Sequence, residues 1–235
     1  MPVPIRTNGL TSAASAMQML ERRQQIISNN LANANTRGFK AETSFARLIG
    51  DAIAATDTGI DLTQGSITET HNPLDLSIQG DGFFVVKRGG DERLVRDGTF
   101  GLDADRQLID ASGNPVLGED GPITVPRGDA LTVTESGQLC MDTKPFAQLR
   151  LETVDPKTPL EHDNGSLSAP LAARHSIALK DRKVHQGSVE ESNVNTMATM
   201  SEMIEVMHRY GSAQKMVATI DAIRGIAVND LAKVV

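Results

Sequence analysis

A chain of 235 residues with 39% hydrophobic content suits a soluble globular class and has room for one large domain or two small ones. Its core must be mainly aliphatic, because there is no Trp, one Tyr and six Phe, a composition that leans away from the aromatic-lined pocket of an enzyme. The formal net charge of −7 with scattered Lys and Arg argues against a nucleic-acid binder, and Cys140, the only cysteine, excludes an intramolecular disulfide and a thiolate metal cluster.

The first twenty residues, MPVPIRTNGLTSAASAMQML, lack the unbroken apolar core of a cleavable signal peptide. Nowhere do about 18 apolar residues run together, so no membrane insertion is expected. From Leu10 the positions Leu10, Ala13, Met17, Leu20, Ile27, Leu31 and Ala34 follow a three-four alternation broken only by Gln24. This heptad rhythm predicts a helix over roughly residues 10 to 35, capped by Asn8 or Thr11 and ended by Gly38.

Its last turns carry an odd cluster. In SNNLANANTRGFK, residues Asn29, Asn30, Asn33 and Asn35 crowd a region where asparagine competes with the backbone for hydrogen bonds. A fraying helix end accounts for Asn35 and Gly38 but poorly for all four. Carboxamides could instead satisfy backbone groups of neighbouring copies and fix register, as a polar residue does in a coiled-coil core.

Residues 39–74, rich in Thr, Ala, Asp and Gly, read as an extended connector. After them the period changes to two. Short apolar bursts in LDLSIQGDGFFVVKRGGDERLVRDGTF are separated by Gly-Asp-Gly, Gly-Gly-Asp and Asp-Gly, and further turns follow to about residue 122. The pattern predicts a β-rich domain, a sandwich or barrel, over 75–189. A second long helix is expected from Met197 to about Leu231, with Met200, Met203, Met207, Tyr210, Ala213, Val217, Ile220, Ala227 and Leu231 near one stripe and with Gly211 and Gly225 weakening it.

The fold class expected is therefore α+β: paired N- and C-terminal coiled-coil-like helices, 1–38 and 190–235, flanking a central all-β domain. Two such helices could form an assembly core or an ordinary two-helix subdomain packed on the β core. No catalytic, cofactor or metal site is apparent. The five histidines lack paired ligand spacing, Asp103-Ala104-Asp105-Arg106-Gln107 lacks the glycine and closing glutamate of a calcium loop, and Gly80-Asp81-Gly82-Phe83 lacks the Lys-Ser/Thr of a phosphate loop.

Three stretches carry a family resemblance. ISNNLANANTRGFK resembles the N-terminal signature of the flagellar rod and hook proteins, NPLDLSIQGDGFFVV with LVRDGTFGLDADRQLIDASGNPVLG looks like that family's β-domain opening, and QGSVEESNVNTMATMSEMI looks like its C-terminal signature. They fall in the family's order along nearly the whole chain, and the short length and C-terminal ending are most like proximal-rod members, with distal-rod or hook-type axial proteins as the alternative. Glu191 departs from the glycine frequent just before the Ser-Asn-Val-Asn run.

The resemblance implies a non-enzymatic axial subunit whose terminal helices form an inner tube around the export channel with the β domain outside. Such a subunit would stack helically in the periplasm-spanning basal-body rod and transmit torque. The implied partners are copies of itself, other rod proteins and the flagellar type III export apparatus, with no cofactor and no cleaved signal. The assembly residues so marked are Met17, Leu20, Ile27, Asn29, Asn30, Leu31, Asn33, Asn35, Gly38 and Phe39 on one side, and Ser192, Asn193, Val194, Asn195, Met200, Met203, Met207, Tyr210, Val217 and Ile220 on the other. A secreted β-domain binding module or adhesin, or an enzyme on a β scaffold, would be the alternatives of other classes.

Overall fold

A computed structural model describes residues 9–49, 52–155, 158–163 and 165–232. Asn8 lies outside the described residues, as do the side chains of Leu10, Thr11, Ala227 and Leu231. One N-terminal and one C-terminal helix flank a largely β central region, an α+β organisation. The chain divides into two compact units: Met1–Ala32 with Glu42–Thr58 and Asn195–Val235, and Asn33–Ala41 with Gly59–Val194.

The first unit holds α1 (Gly9–Ala32), α2 (Thr196–Ala232) and a two-stranded sheet of Glu42–Ile49 with Ala52–Ile60, the last two residues of which fall in the second unit. That sheet occupies part of the stretch expected as an extended connector, and a third strand follows at Ile67–Glu69. The β-branched residues Thr43, Ile49, Ile53, Thr56, Thr58 and Ile60 supply the strand preference that a reading by composition missed. α1 stops at Ala32 rather than near residue 35, because Asn33 starts a turn in which its carbonyl accepts from Thr36 N (3.0 Å). α2 starts where Asn195 caps it: the Asn195 Oδ1 accepts from Ala198 N (3.1 Å) and its carbonyl from Thr199 N (2.9 Å).

The second unit is antiparallel. Its largest sheet has six strands in the order Glu161–Asp163, Ser166–Ser168, Asp91–Val95, Phe83–Arg88, Leu151–Val154 and Arg174–Ser176. The central strand Phe83–Arg88 is buried on both faces, which is why FFVV is a continuous apolar run instead of an alternation. Phe84 and Val86 enter a core with Leu76, Ile78, Leu149 and Val184, while Phe83 and Val85 enter another with Leu94, Leu117 and Leu167. Gly89, at φ +62°, turns the chain into Asp91–Val95, as the Gly-Gly pair predicts.

Two short ladders close this unit with strands from far along the chain. Leu76–Ile78 pairs with Val184–Gln186, and Ile67–Glu69 pairs with Ser188–Glu190. Asp103 to Arg106 form a turn, with the Asp103 carbonyl accepting from Arg106 N (3.0 Å). Cys140 is buried in the strand Gln138–Met141.

Candidate functional site

The two signature stretches meet on the β unit. Gly38 N donates to the Glu190 carbonyl (2.8 Å), Asn193 N donates to the Phe39 carbonyl (3.4 Å), and Asp61 N donates to the Ala41 carbonyl (2.8 Å). Asn193 uses both ends of its amide here. Its Oδ1 accepts from Ala41 N (2.7 Å), and its Nδ2 donates to the carbonyls of Asp61 (2.9 Å) and Thr63 (3.0 Å). A carboxamide presents the same donor and acceptor as a peptide group, so one side chain replaces a missing stretch of ladder.

Glycine is required at 38. Its φ is +65°, and a Cβ there would lie 2.2 Å from Asp97 N, a backbone atom that cannot swing away. The next residue, Phe39, is buried and stacks on His162 with ring centroids 5.0 Å apart and planes at 11°, while His162 Nε2 lies 2.9 Å from the Lys40 carbonyl.

Beneath this seam lies a buried ion triad that the sequence did not disclose. Lys40, Arg96 and Glu190 are 2%, 4% and 1% exposed. The Glu190 carboxylate accepts from Lys40 Nζ (2.8 Å), Arg96 Nε (2.6 Å), Gly65 N (3.0 Å) and Gln64 Nε2 (3.4 Å). Lys40 also donates to the Thr63 carbonyl (2.7 Å), and Arg96 donates to the carbonyls of Ile78 and Gly80 (both 2.7 Å) and of Gly82. Burial alone would raise the Glu190 carboxyl, but Arg96 and Lys40 together outweigh it and hold the group below the usual carboxylate range. Burial pulls the Lys40 ammonium below its ordinary value despite Glu190. These ions are spent on one another and on carbonyls, an arrangement that holds structure instead of reacting.

Asparagines of the N-terminal signature make hydrogen bonds within the chain. Asn30, buried, exchanges two hydrogen bonds with the Glu42 backbone: Nδ2 to the carbonyl and Glu42 N to Oδ1, both 2.8 Å. Asn29 Nδ2 donates to Glu42 Oε1 (3.2 Å). Asn33 Oδ1 accepts from Thr36 Oγ1 (3.1 Å), Ser192 Oγ from Val194 N (3.3 Å), and Asn35 is exposed.

α1 and α2 pack on each other through Leu20, Ile27 and Val206, with Met203 and Tyr210 at the margin. Arg23 pairs with Glu202 (2.6 Å), and Tyr210 donates to Glu21 (2.8 Å). Met17, Leu31, Val217 and Ile220 are half-buried. Met200 and Met207, expected on the stripe with Met203, are instead 44% and 57% exposed. Two rows on α2 satisfy three-four spacing, Met203-Val206-Tyr210-Ala213-Val217-Ile220 and Met197-Met200-Ile204-Met207, and the expected stripe mixed them. Running the strict alternation back from Ile220 through Val217, Ala213 and Tyr210 arrives at Val206.

Among the described residues no group of three or more His, Cys, Asp or Glu side chains is placed to hold a metal ion, and no helix is long and apolar enough to cross a membrane.

Three family models match the chain in order: "Flagella basal body rod protein" over residues 10–40, "Flagellar hook protein FlgE/F/G D1 domain" over 77–141 and "Flagellar basal body rod FlgEFG protein C-terminal" over 185–230. The chain is similar to the flagellar basal-body rod protein FlgF of Caulobacter vibrioides, 32% identical over 242 residues that cover 97% of this chain and 99% of the relative. It is 31% identical over 234 residues to the protein of the same name in Escherichia coli, covering 90% and 92%. It is also 27% identical over 269 residues to the flagellar hook-basal body complex protein FlhO of Bacillus subtilis, covering 96% and 99%.

Proposed function

This chain belongs to the flagellar basal-body rod protein family, and from that premise we propose that it builds the proximal part of the rod, with α1 and α2 paired in coiled-coil fashion in an inner layer around the export channel. It is a structural subunit of the rod, its place is the flagellar basal body, and it assembles with other basal-body proteins. In the finer reading, copies of this chain and neighbouring rod proteins stack helically, reach the rod through the flagellar type III export apparatus, and pass motor torque outward. Stiffness in such a stack comes from many interlocked helices, each contact being weak alone.

One observation supports this most. α2 packs on α1 through one apolar row while its second row, Met197, Met200, Ile204 and Met207, stays 44% to 77% exposed. An apolar row of that length beside an occupied one fits a helix that is covered only when neighbours arrive. The assembly surface proposed comprises this row and the exposed parts of the signatures, Asn35 among them.

The test places a charge on the row without touching the α1 contact. Met200→Glu with Met207→Glu should leave the purified chain as helical and as stable as before, yet remove it from isolated basal bodies and stop swimming. Normal incorporation and swimming of the double variant would overturn the reading, and the set of rod proteins that co-purify with the wild-type chain reports its place along the rod.

A further inference from the structure

Glu190 comes late in the chain, yet its carboxylate is at the centre of a network built from much earlier segments. Without it, the hydrogen bonds left to Lys40 and Arg96, at 2% and 4% exposure, would go only to the carbonyls of residues 62, 63, 78, 80 and 82, while Asp61, Asp81 and Asp155 line the cavity beside them without a hydrogen bond to either cation. Asp61, the other carboxylate that acts on Lys40, accepts from Thr63 N (3.0 Å). Carbonyl dipoles do not replace a counter-charge at side chains with so little contact with water, so closing the unit around two cations without a directly bonded carboxylate is unfavourable.

The strands that close the unit arrive with the same stretch. Val184–Gln186 completes Leu76–Ile78, Ser188–Glu190 completes Ile67–Glu69, and Val184 enters the core beside Ile78 and Phe84. Ser77 Oγ meets Ser188 Oγ at 2.7 Å with both residues buried, and Gly187 N donates to the Asp75 carbonyl (2.7 Å). Pairing, packing and charge compensation for the early segments therefore depend together on residues 184–190.

We propose that Glu190 is the closing charge of the β unit: the segments before residue 184 cannot settle into native packing until Glu190 joins Lys40 and Arg96, so the unit folds in one late step when nearly the whole chain is present. Until then the two cations stay solvated, and their mutual repulsion opposes early closure. Synthesis delivers the N-terminal side first, so about four fifths of the chain precedes the residue that permits closure. The device requires only the triad and its place in the sequence, and holds whatever the folded protein assembles with.

The experiment uses the full-length chain and a two-residue cycle, read by urea unfolding and by pulse-labelled hydrogen exchange during refolding. In the wild type, amides of Leu76–Ile78, Phe83–Arg88, Asp91–Val95 and Val184–Glu190 should gain protection in one phase. Glu190→Gln, which keeps the shape and removes the charge, should lower the folding equilibrium constant roughly a hundredfold to a thousandfold and slow that phase for all these strands together. The decisive arm is Lys40→Met. It should weaken folding in the wild type, where it removes a partner of Glu190, and strengthen folding in the Glu190→Gln chain, where it removes an uncompensated cation and leaves the Arg96 bonds to carbonyls in place. Lys40→Met weakening both backgrounds would overturn the proposal, since the loss would then be one of packing. Protection of Phe83–Arg88 and Asp91–Val95 ahead of Val184–Glu190, or a Glu190→Gln chain within tenfold of wild type, would also overturn it.

Discussion

Replacing Gly38 by alanine tests the seam between the two signature stretches, because the cost separates into two terms. The first is conformational: at φ +65° an L-residue loses about 1–2 kcal/mol relative to glycine. The second is contact. The new Cβ would sit 2.2 Å from Asp97 N and 2.5 Å from Arg96 C, both backbone atoms, so the segment must lift off the strand. Overpacking of this kind costs about 1–3 kcal/mol. Lifting also lengthens the Gly38 N to Glu190 bond, worth about 1 kcal/mol. Gly89 is the internal control, since its φ is +62° with nothing within 4 Å of a Cβ. Gly89→Ala should therefore cost about 1–2 kcal/mol and Gly38→Ala at least about 3 kcal/mol. Urea unfolding followed by far-UV circular dichroism gives the difference, and hydrogen exchange at residues 190–193 localises it; Tyr210, the only tyrosine in a chain without tryptophan, lies on α2 and cannot report on the β unit by fluorescence. Equal costs at the two glycines would refute the close approach and leave only the left-handed backbone as the reason for Gly38.

Asn30→Asp keeps the size and the acceptor but loses the donor to the Glu42 carbonyl, and should cost about 1–3 kcal/mol with faster exchange at the start of the strand Glu42–Ile49. Thr143→Gly should stabilise by about 1 kcal/mol in the same urea assay, because Asp142 and Thr143 form a two-residue hairpin turn at φ +49° and +70°, a backbone that a β-branched residue resists. The triad predicts a pH dependence with a definite sign. Glu190 is depressed in the fold, so its contribution is complete above the unfolded carboxyl value of about 4.3 and is lost as pH falls through the lower folded value. Lys40 is also depressed, so between its folded value and about 10.4 the unfolded chain holds more protons and stability rises with pH. Asp97, pushed up by burial, gains stability as pH falls, and subtracting the profile of Lys40→Met from that of the wild type cancels it. The subtracted profile should rise on the alkaline side, and a flat one would show that Lys40 is not depressed.

The helices and hairpins were legible because their signals are local. A three-four rhythm at Leu20 and Ile27, a Gly-Gly pair at 89 and 90, and a run such as FFVV each state a conformation within a few residues. Glu190 was not legible, since an ionisable side chain reads the same whether it is solvated or buried, and its partners Lys40 and Arg96 lie 150 and 94 residues away. The asparagines fall between these cases: their crowding marked a place but not a partner. Asn30 pairs with the backbone of Glu42, and Asn193 with those of residues 41, 61 and 63. Asn195 caps α2. All three lie within a few residues of a point where the chain leaves one unit for the other, Asn30 at 32/33 and Asn193 and Asn195 at 194/195. At such points the backbone departs from a helix or strand and its peptide groups lose their regular partners, while burial forbids leaving them bare. A carboxamide supplies the missing donor and acceptor in one side chain, and glycine lets the backbone come close enough for another segment to supply them. Asparagine and glycine near the crossings therefore have a role in folding one chain into two units.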